Sequence, residues 1–301
     1  MNYAYILLPL LGLLWTLVGI TISEAKQNGM KPQHFYLLGT LCSSMLLLIL
    51  NLFAGTGNNL GKDQLPAIIC YILAAFLNGS GQALSMSNLK QNGRALAYSI
   101  PLLAFLLPYF WSVAFWSQSF TWRAWAGLLF ITGAILYLSS HKKGNAQNND
   151  NTQLPLRRVL IALAALVILG TSQILMSIPS QFPAEKSLSP FQGALVLQAS
   201  SVIFFLAWSL LGKDFQLASI KNNCIYGLLW GICAAASYCV LLPALQMLGK
   251  IHQAGIVFPT GCSLTILLFT TYTALRYKEK LSWKQCLAFA AIIIGIFLVK
   301  L

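Results

Sequence analysis

The hexapeptide QSFTWR at residues 118–123 returns 161 positions later as EKLSWK at residues 279–284. In both, an apolar residue, a hydroxyl, a tryptophan and a base follow one another in the same order. A hydroxyl placed just before an apolar run is typical of a helix start, because its oxygen accepts a backbone N–H that the helix leaves unbonded. Two such starts at a long, regular spacing predict a chain built from two similar halves.

The composition indicates a membrane protein. Charged residues make up 8% of the chain and hydrophobic residues 57%, with a mean hydropathy of +0.72, whereas soluble domains carry about 25% charged residues. A membrane-spanning helix needs about 20 apolar residues, and the sequence contains ten such stretches separated by polar breaks. We predict an all-α membrane protein with spans at residues 3–22, 33–54, 65–84, 95–116, 122–140, 158–178, 190–211, 222–243, 254–275 and 283–300.

The two hexapeptides divide these spans into two groups of five. QSFTWR lies where the fourth span gives way to the fifth, and EKLSWK where the ninth gives way to the tenth. Because five is odd, the second group must enter the membrane from the opposite side. The sequence therefore predicts an inverted 5+5 repeat, an architecture typical of secondary transporters, with repeats at 1–140 and 158–301 joined by a connector at 141–157.

Lysine and arginine are distributed unequally between the loops. The odd-numbered connections carry 14 of them, and the even-numbered connections with the C-terminal tail carry 5. Cytoplasmic loops retain positive residues, so the bias predicts odd loops in the cytoplasm and both termini outside. The formal net charge of +13 then reports topology, and no nucleic-acid partner is expected.

These features resemble the EamA-like, ten-helix branch of the drug/metabolite transporter superfamily. The resemblance rests on Trp15 in the first span, on Pro259 in the ninth, and on YKEKLSWKQCLAFAAIIIGIFLV at 277–299. The corresponding first-half segment, 115–138, has Gln118 where the family often has a glutamate.

The resemblance implies a central cavity lined by spans one to four and six to nine, with spans five and ten outside. It implies a multi-pass protein of the bacterial inner membrane that works by alternating access, with a proton or sodium ion as a potential coupling ion. Family members of known fold are drawn with cytoplasmic termini, so the resemblance and the charge count differ on orientation.

Neutral polar side chains are the candidate substrate ligands, because no Asp, Glu, Lys or Arg lies well inside a predicted span. Helical spacing places several of them on common faces: Asn78, Gln82 and Ser85; Gln173 and Ser177; Gln198 and Ser201. Amides beside aromatic rings suit a small uncharged or zwitterionic solute. The predicted substrate-binding residues are Trp15, Asn78, Gln82, Tyr98, Gln173, Gln198 and Tyr238. The structural alternative is that Ser, Thr, Asn and Gln bond across packed helices, at about 0.6 kcal/mol each.

Pro101 and Pro259 occupy corresponding places in the two halves. We expect each to remove a helix hydrogen bond and kink its span. The kink would be either a structural feature or a gating hinge. Gly227, Gly231 and Ala235 are four residues apart, which permits close helix approach. Thr121 and Ser282 are expected to cap helices, Ser282 within a capping box closed by Gln285.

Sugar-like solutes are favoured as substrates over exported amino-acid-like ones. A drug-cation/proton antiporter is disfavoured by the lack of an intramembrane carboxylate. A lipid-carrier flippase is the other alternative, since Arg94 and Lys250 flank the fourth and ninth spans. An enzyme is not expected, because the sequence offers no paired carboxylates or histidine cluster. No cofactor or metal is expected.

Overall fold

The computed structural model describes residues 3–55, 61–89, 103–119, 121–140, 156–211, 217–276 and 282–300. These ranges contain ten α-helices, four short 3-10 helices and no β-strand. The α-helices are α1 Tyr3–Gln27, α2 Pro32–Phe53, α3 Leu65–Leu89, α4 Leu106–Phe115, α5 Trp122–Ser140, α6 Leu156–Ser177, α7 Pro190–Leu211, α8 Leu217–Gly249, α9 Val257–Arg276 and α10 Trp283–Lys300.

Within the described ranges, seven helical segments are long and apolar enough to cross a membrane, and each overlaps a predicted span. They correspond to α1, α2, α3, α6, α7, α8 and α9. The helices α4, α5 and α10 contribute shorter apolar segments at Leu103–Phe115, Trp122–Tyr137 and Trp283–Val299. The first eight residues of the predicted fourth span lie outside the described residues. The chain is a multi-pass membrane protein.

The eighth span was predicted too short. We placed its end at residue 243, but α8 continues through Pro243 to Gly249. A proline inside a helix removes one hydrogen bond and normally kinks or ends it. Here the residues on both sides of it are held in the core: Leu241, Leu242, Ala244 and Leu245 are each at most 2% exposed. Tertiary packing therefore maintains a helix that local propensity would end.

Contacts between the helices follow a regular pattern. α3 packs against α6 and α7, while α8 packs against α1 and α2. α1 also packs against α9, and α4 against α6. Two further pairs are α2 with α7 and α5 with α10.

Residue contacts give the directions of these pairs. α2 and α7 are antiparallel, because Tyr36 stacks on Phe205 near one end and Asn51 donates to the Phe191 carbonyl near the other, at 2.9 Å. α3 and α7 are parallel: Tyr71 lies against Gly193 and Gly79 against Phe204.

α8 and α2 are likewise parallel, since Gly227 lies against Leu38 and Gly231 against Cys42. The close approach predicted for Gly227 and Gly231 is thereby confirmed. Ala235, 3% exposed, continues the packed face.

A cluster of aromatic rings joins α2, α7 and α8. Tyr36 stacks on Phe205 at 5.0 Å between ring centroids and meets Trp230 edge-on at 5.5 Å. Phe35 also meets Trp230 edge-on, at 5.9 Å. Such pairs add about 0.5–1.5 kcal/mol each beyond area burial, so this cluster fixes the contact between the two halves of the chain.

Both predicted hydroxyl caps are present. Thr121 Oγ1 accepts the Ala124 N–H at 3.2 Å at the start of α5. Ser282 Oγ accepts the Gln285 N–H at 3.3 Å at the start of α10, and Gln285 Oε1 accepts the Ser282 N–H at 2.8 Å. The capping box is therefore confirmed, and the two helices that follow QSFTWR and EKLSWK begin in the same way.

α5 and α10 cross through glycine. A Cβ placed on Gly127 would lie 2.6 Å from the Gly295 carbonyl oxygen and 2.9 Å from the Val299 nitrogen. Both neighbours are backbone atoms and cannot rotate away. Because Ile131 also lies against Gly295 and Ala134 clusters with Ala288, the two helices run antiparallel.

The variant Gly127→Ala is expected to destabilise the protein by about 1–3 kcal/mol through this clash. Gly133→Ala on the same helix is the matched control, since a Cβ there meets no atom within 4 Å. Thermal unfolding in detergent compares the two. A lower midpoint for Gly127→Ala alone is the expected result, and equal shifts would contradict the close crossing.

Candidate substrate-binding site

The polar face of α3 points into the helix bundle. Asn78, Gln82 and Ser85 are half-buried, whereas Ile72, Leu73 and other apolar residues of α3 are exposed. The Ser85 hydroxyl donates to the Gly81 carbonyl of its own helix at 2.8 Å. The Gln82 Oε1 atom is buried, and no described residue donates to it. Gln82 therefore presents an unused acceptor.

Gln173 of α6 and Gln198 of α7 repeat this arrangement. Both Oε1 atoms are buried without a donor among the described residues, and Gln198 is 1% exposed. Their predicted partners on the same faces are occupied locally: Ser177 donates to the Gln173 carbonyl at 2.6 Å and Ser201 to the Leu197 carbonyl at 2.9 Å. The two hydroxyls thus bond to their own helices and not across helices.

Two of the amides lie at the same level of the bundle. Ser172 donates to the Ala74 carbonyl of α3 at 2.8 Å, which sets Gln173 beside that turn. On the other side of α3, the contacts of Gly193 with Tyr71 and of Gly79 with Phe204 set Gln198 at about the same turn. Gln82 lies eight residues beyond Ala74, about 12 Å along the helix. The structure brings Gln173 and Gln198 to one depth and leaves Gln82 at another.

The aromatic candidates Trp15 and Tyr238 lie on α1 and α8. Trp15 of α1 stacks on Phe258 with ring centroids 6.3 Å apart and contacts Gly261 of α9. Tyr5 pairs with Gln253 at one end of α1 and Asn28 with Tyr226 at the other. α1 and α8 are therefore antiparallel, and Trp15 and Tyr238 lie at similar depth.

Tyr238 is half-buried on α8, and Cys262 is half-buried on α9. Both pack against the main hydrophobic core of the bundle. The structure thus places Tyr238 within the bundle.

Two predicted residues, Tyr98 and Pro101, lie outside the described residues. Pro259 is described, and the expectation of a lost hydrogen bond there is wrong. It is the third residue of α9, within the first turn, where backbone N–H groups have no partner in the helix. A proline at that place fits the helix start and does not kink the span. A short 3-10 helix, Ala254–Ile256, precedes it.

Comparison with known proteins agrees with this fold. The family model described as the EamA-like transporter family matches residues 2–140. The chain is thus similar to the EamA-like transporter family over this segment. A solved structure titled "Crystal structure of protein" is 16% identical, covers 99% of this chain and 96% of its own, and has a TM-score of 0.73, which shows a shared fold across the whole length. No curated protein matches the chain.

The two ends of the helix bundle are joined by polar contacts that no local sequence pattern predicts. At one end, Gln118 is 6% exposed and its Oε1 accepts the Gly255 N–H at 3.0 Å. His252 is exposed there, with Nδ1 3.1 Å from the Trp116 carbonyl oxygen.

At the other end, the Tyr272 hydroxyl of α9 donates to Glu24 Oε1 of α1 at 3.3 Å. Glu24 is half-buried near the end of α1. No local sequence pattern pairs residues 248 positions apart. For the Gln118 contact, the available signal was the family resemblance, which implies a glutamate at this position.

Proposed function

We propose that the protein is a secondary active transporter of a small neutral or zwitterionic polar metabolite, with sugar-like solutes favoured. The single observation that carries this proposal is the set of three buried amide oxygens, on Gln82, Gln173 and Gln198, that have no donor among the described residues. A buried acceptor without a donor costs about 1–3 kcal/mol. A solute rich in hydroxyl or ammonium donors would satisfy these atoms.

The helix contacts support an inverted repeat of residues 1–140 and 158–301, with 141–157 as connector. An inverted repeat relates each helix to the helix five places along the chain. The contact of α3 with α6 then corresponds to that of α8 with α1, and the contact of α3 with α7 corresponds to that of α8 with α2; all four contacts are present. The pairs α2–α7 and α5–α10 each correspond to themselves. These two pairs are antiparallel, as an in-plane two-fold axis requires.

Residue contacts support the same relation. A Cβ on Gly12 would lie 3.5 Å from the Gly261 carbonyl oxygen of α9, and one on Gly170 would lie 2.9 Å from the Ala104 carbonyl oxygen, just before α4. Each of these glycines also faces a leucine, Leu264 or Leu107. The first helix of each half thus meets the fourth helix of the other in the same way.

A second pair of contacts agrees. Gly39 lies against the Trp230 ring, and Gly193 lies against the Tyr71 ring. These are again a second-helix glycine and a third-helix aromatic from opposite halves. The spacing of Gly39 and Gly193 is 154 residues and that of Tyr71 and Trp230 is 159, so the two repeats differ by short loop insertions.

The proposed repeat places chemically different side chains at corresponding positions of the two halves. Gly12 and Gly170 are 158 residues apart, as are Trp15 and Gln173, so an indole in one half corresponds to a primary amide in the other. A ring face favours C–H surface and an amide favours O–H or N–H donors. This combination suits a solute with one apolar face and several hydroxyl groups, and the described amides add no charge that would select an ion.

Alternating access would open one end of the bundle at a time. Tyr5 with Gln253 and Tyr272 with Glu24 join α1 to the α9 segment at its two ends. Each contact crosses between the proposed repeats. We place the hinge at Pro259, because the chain changes there from the 3-10 helix Ala254–Ile256 to α9, and such a change often marks a hinge. Pro101 is the proposed counterpart.

A two-stage experiment tests the proposal. The purified protein is first screened by thermal shift against neutral sugars, polyols, amino acids, organic cations and lipid phosphates. Stabilising solutes are then assayed for uptake into proteoliposomes, with and without proton and sodium gradients. Stabilisation and uptake of a neutral or zwitterionic solute is the expected result. Stabilisation by amino acids alone would favour an exporter of the same fold, and stabilisation by lipid phosphates alone would favour a flippase and contradict the proposal.

A further inference from the structure

A groove of about 430 Å3 lies between α5 and α10, on the outside of the bundle and apart from the amide site. Its floor consists of small residues, Gly133, Ala134 and Ala288, and its walls include Leu129, Phe130 and Leu287. The wall residues are between 47% and 63% exposed. A Cβ on Gly133 would meet no atom within 4 Å, so the space above that glycine is empty of protein.

The space over Gly133 can take a single acyl chain, because the floor of the groove consists of small residues and its walls are apolar.

One mouth of the groove is basic and aromatic. Trp283, 68% exposed, and Lys284, also exposed, line it at the start of α10. Ala291, seven residues further, marks the far end, about 10 Å along the helix axis. The groove thus runs from a cation and an indole, the side chains favoured at headgroup depth, into the apolar part of the span.

A further basic residue lies at the same end of the bundle. α9 ends there with the exposed Arg276, and the odd-numbered connections, of which 276–284 is one, hold 14 of the 19 Lys and Arg residues. Positive residues beside a membrane attract anionic lipids. The charge of the mouth is therefore complementary to an anionic headgroup.

We propose that the groove binds one anionic phospholipid, with its phosphate at Lys284, its glycerol region beside Trp283, and one acyl chain lying over Gly133 between α5 and α10. The inference does not depend on the transported substrate.

Native mass spectrometry of the purified protein with phosphatidylglycerol, and with phosphatidylcholine of the same acyl chains, tests this proposal. We expect one phosphatidylglycerol molecule to remain bound preferentially. Lys284→Gln should weaken that preference roughly fivefold, the effect of one cation near the headgroups. Gly133→Phe should fill the groove and abolish retention of that lipid, because the added ring occupies the acyl position.

Matched controls are Lys250→Gln, an exposed base at the other end of the bundle, and Ile203→Phe, a 60% exposed position on α7. Both should retain the lipid as the unaltered protein does. Lys284→Gln changes an exposed side chain, so it remains informative even if Gly133→Phe fails to fold. Equal retention of the two lipids, retention unaffected by both groove variants, or a dimer that Gly133→Phe dissociates would each overturn the proposal.

Discussion

Gln198→Leu is expected to abolish transport while leaving the protein at least as stable as before. The Gln198 side chain is 1% exposed, and its Oε1 has no donor among the described residues. Removing a buried, unsatisfied acceptor should raise the free energy of unfolding by about 1–3 kcal/mol. Removing a ligand for the solute should lower uptake at least tenfold, since one hydrogen bond lost in a buried site contributes about 1.4 kcal/mol or more.

Thermal unfolding and proteoliposome uptake, measured on the same preparation, check both halves of this prediction. Gln173→Leu should behave in the same way, because the Gln173 amide lies at the same depth. Ser201→Ala is the matched control on α7: its hydroxyl bonds to its own helix, so uptake should change little. A lower midpoint for Gln198→Leu together with normal uptake would assign the amide to packing and contradict its role as a ligand.

Gln118→Leu, in contrast to Gln198→Leu, is expected to destabilise the protein. The Gln118 amide accepts the buried Gly255 N–H at 3.0 Å, and leucine would leave that donor without an acceptor. We expect a loss of about 1–3 kcal/mol in the free energy of unfolding. Because this bond joins the segment before α5 to the segment before α9, its loss should also open one end of the bundle.

Gln118→Glu separates the hydrogen bond from the side-chain volume. Glutamate keeps an acceptor of the same length for the Gly255 N–H, so stability should be largely restored. Thermal unfolding of both variants, with thiol labelling of a cysteine introduced at the exposed His252 position, measures stability and opening. Equal destabilisation by leucine and by glutamate would show that the Gly255 bond is not the cause.

Much of the fold follows from local sequence. The hydroxyls of Thr121 and Ser282 predict their helix starts because capping needs only a few neighbouring residues. The spacing of Gly227 and Gly231 predicts close packing because it creates a flat helix face. Both kinds of feature depend on short-range chemistry, and both are found in the structure.

The sequence predicted the candidate site less completely than the fold. Side-chain spacing on single helices selected Gln82, Gln173 and Gln198, but it could not show that two of them lie at one depth and the third about 12 Å away. The position of Pro259 was misjudged because the start of α9 depends on the preceding 3-10 turn. The Gln118 bond and the groove between α5 and α10 arise from contacts between the two halves, which no local pattern encodes.

The account depends most on two oppositely oriented repeats around a polar interior. Thr121→Cys and Ser282→Cys, placed singly in a cysteine-free background, test this orientation through the two equivalent helix starts, both of which are exposed. A membrane-impermeant thiol reagent is applied to intact cells and then to inside-out vesicles. We predict that one cysteine reacts only in cells and the other only in vesicles. Labelling of both from the same side would contradict the inverted repeat and the site built on it.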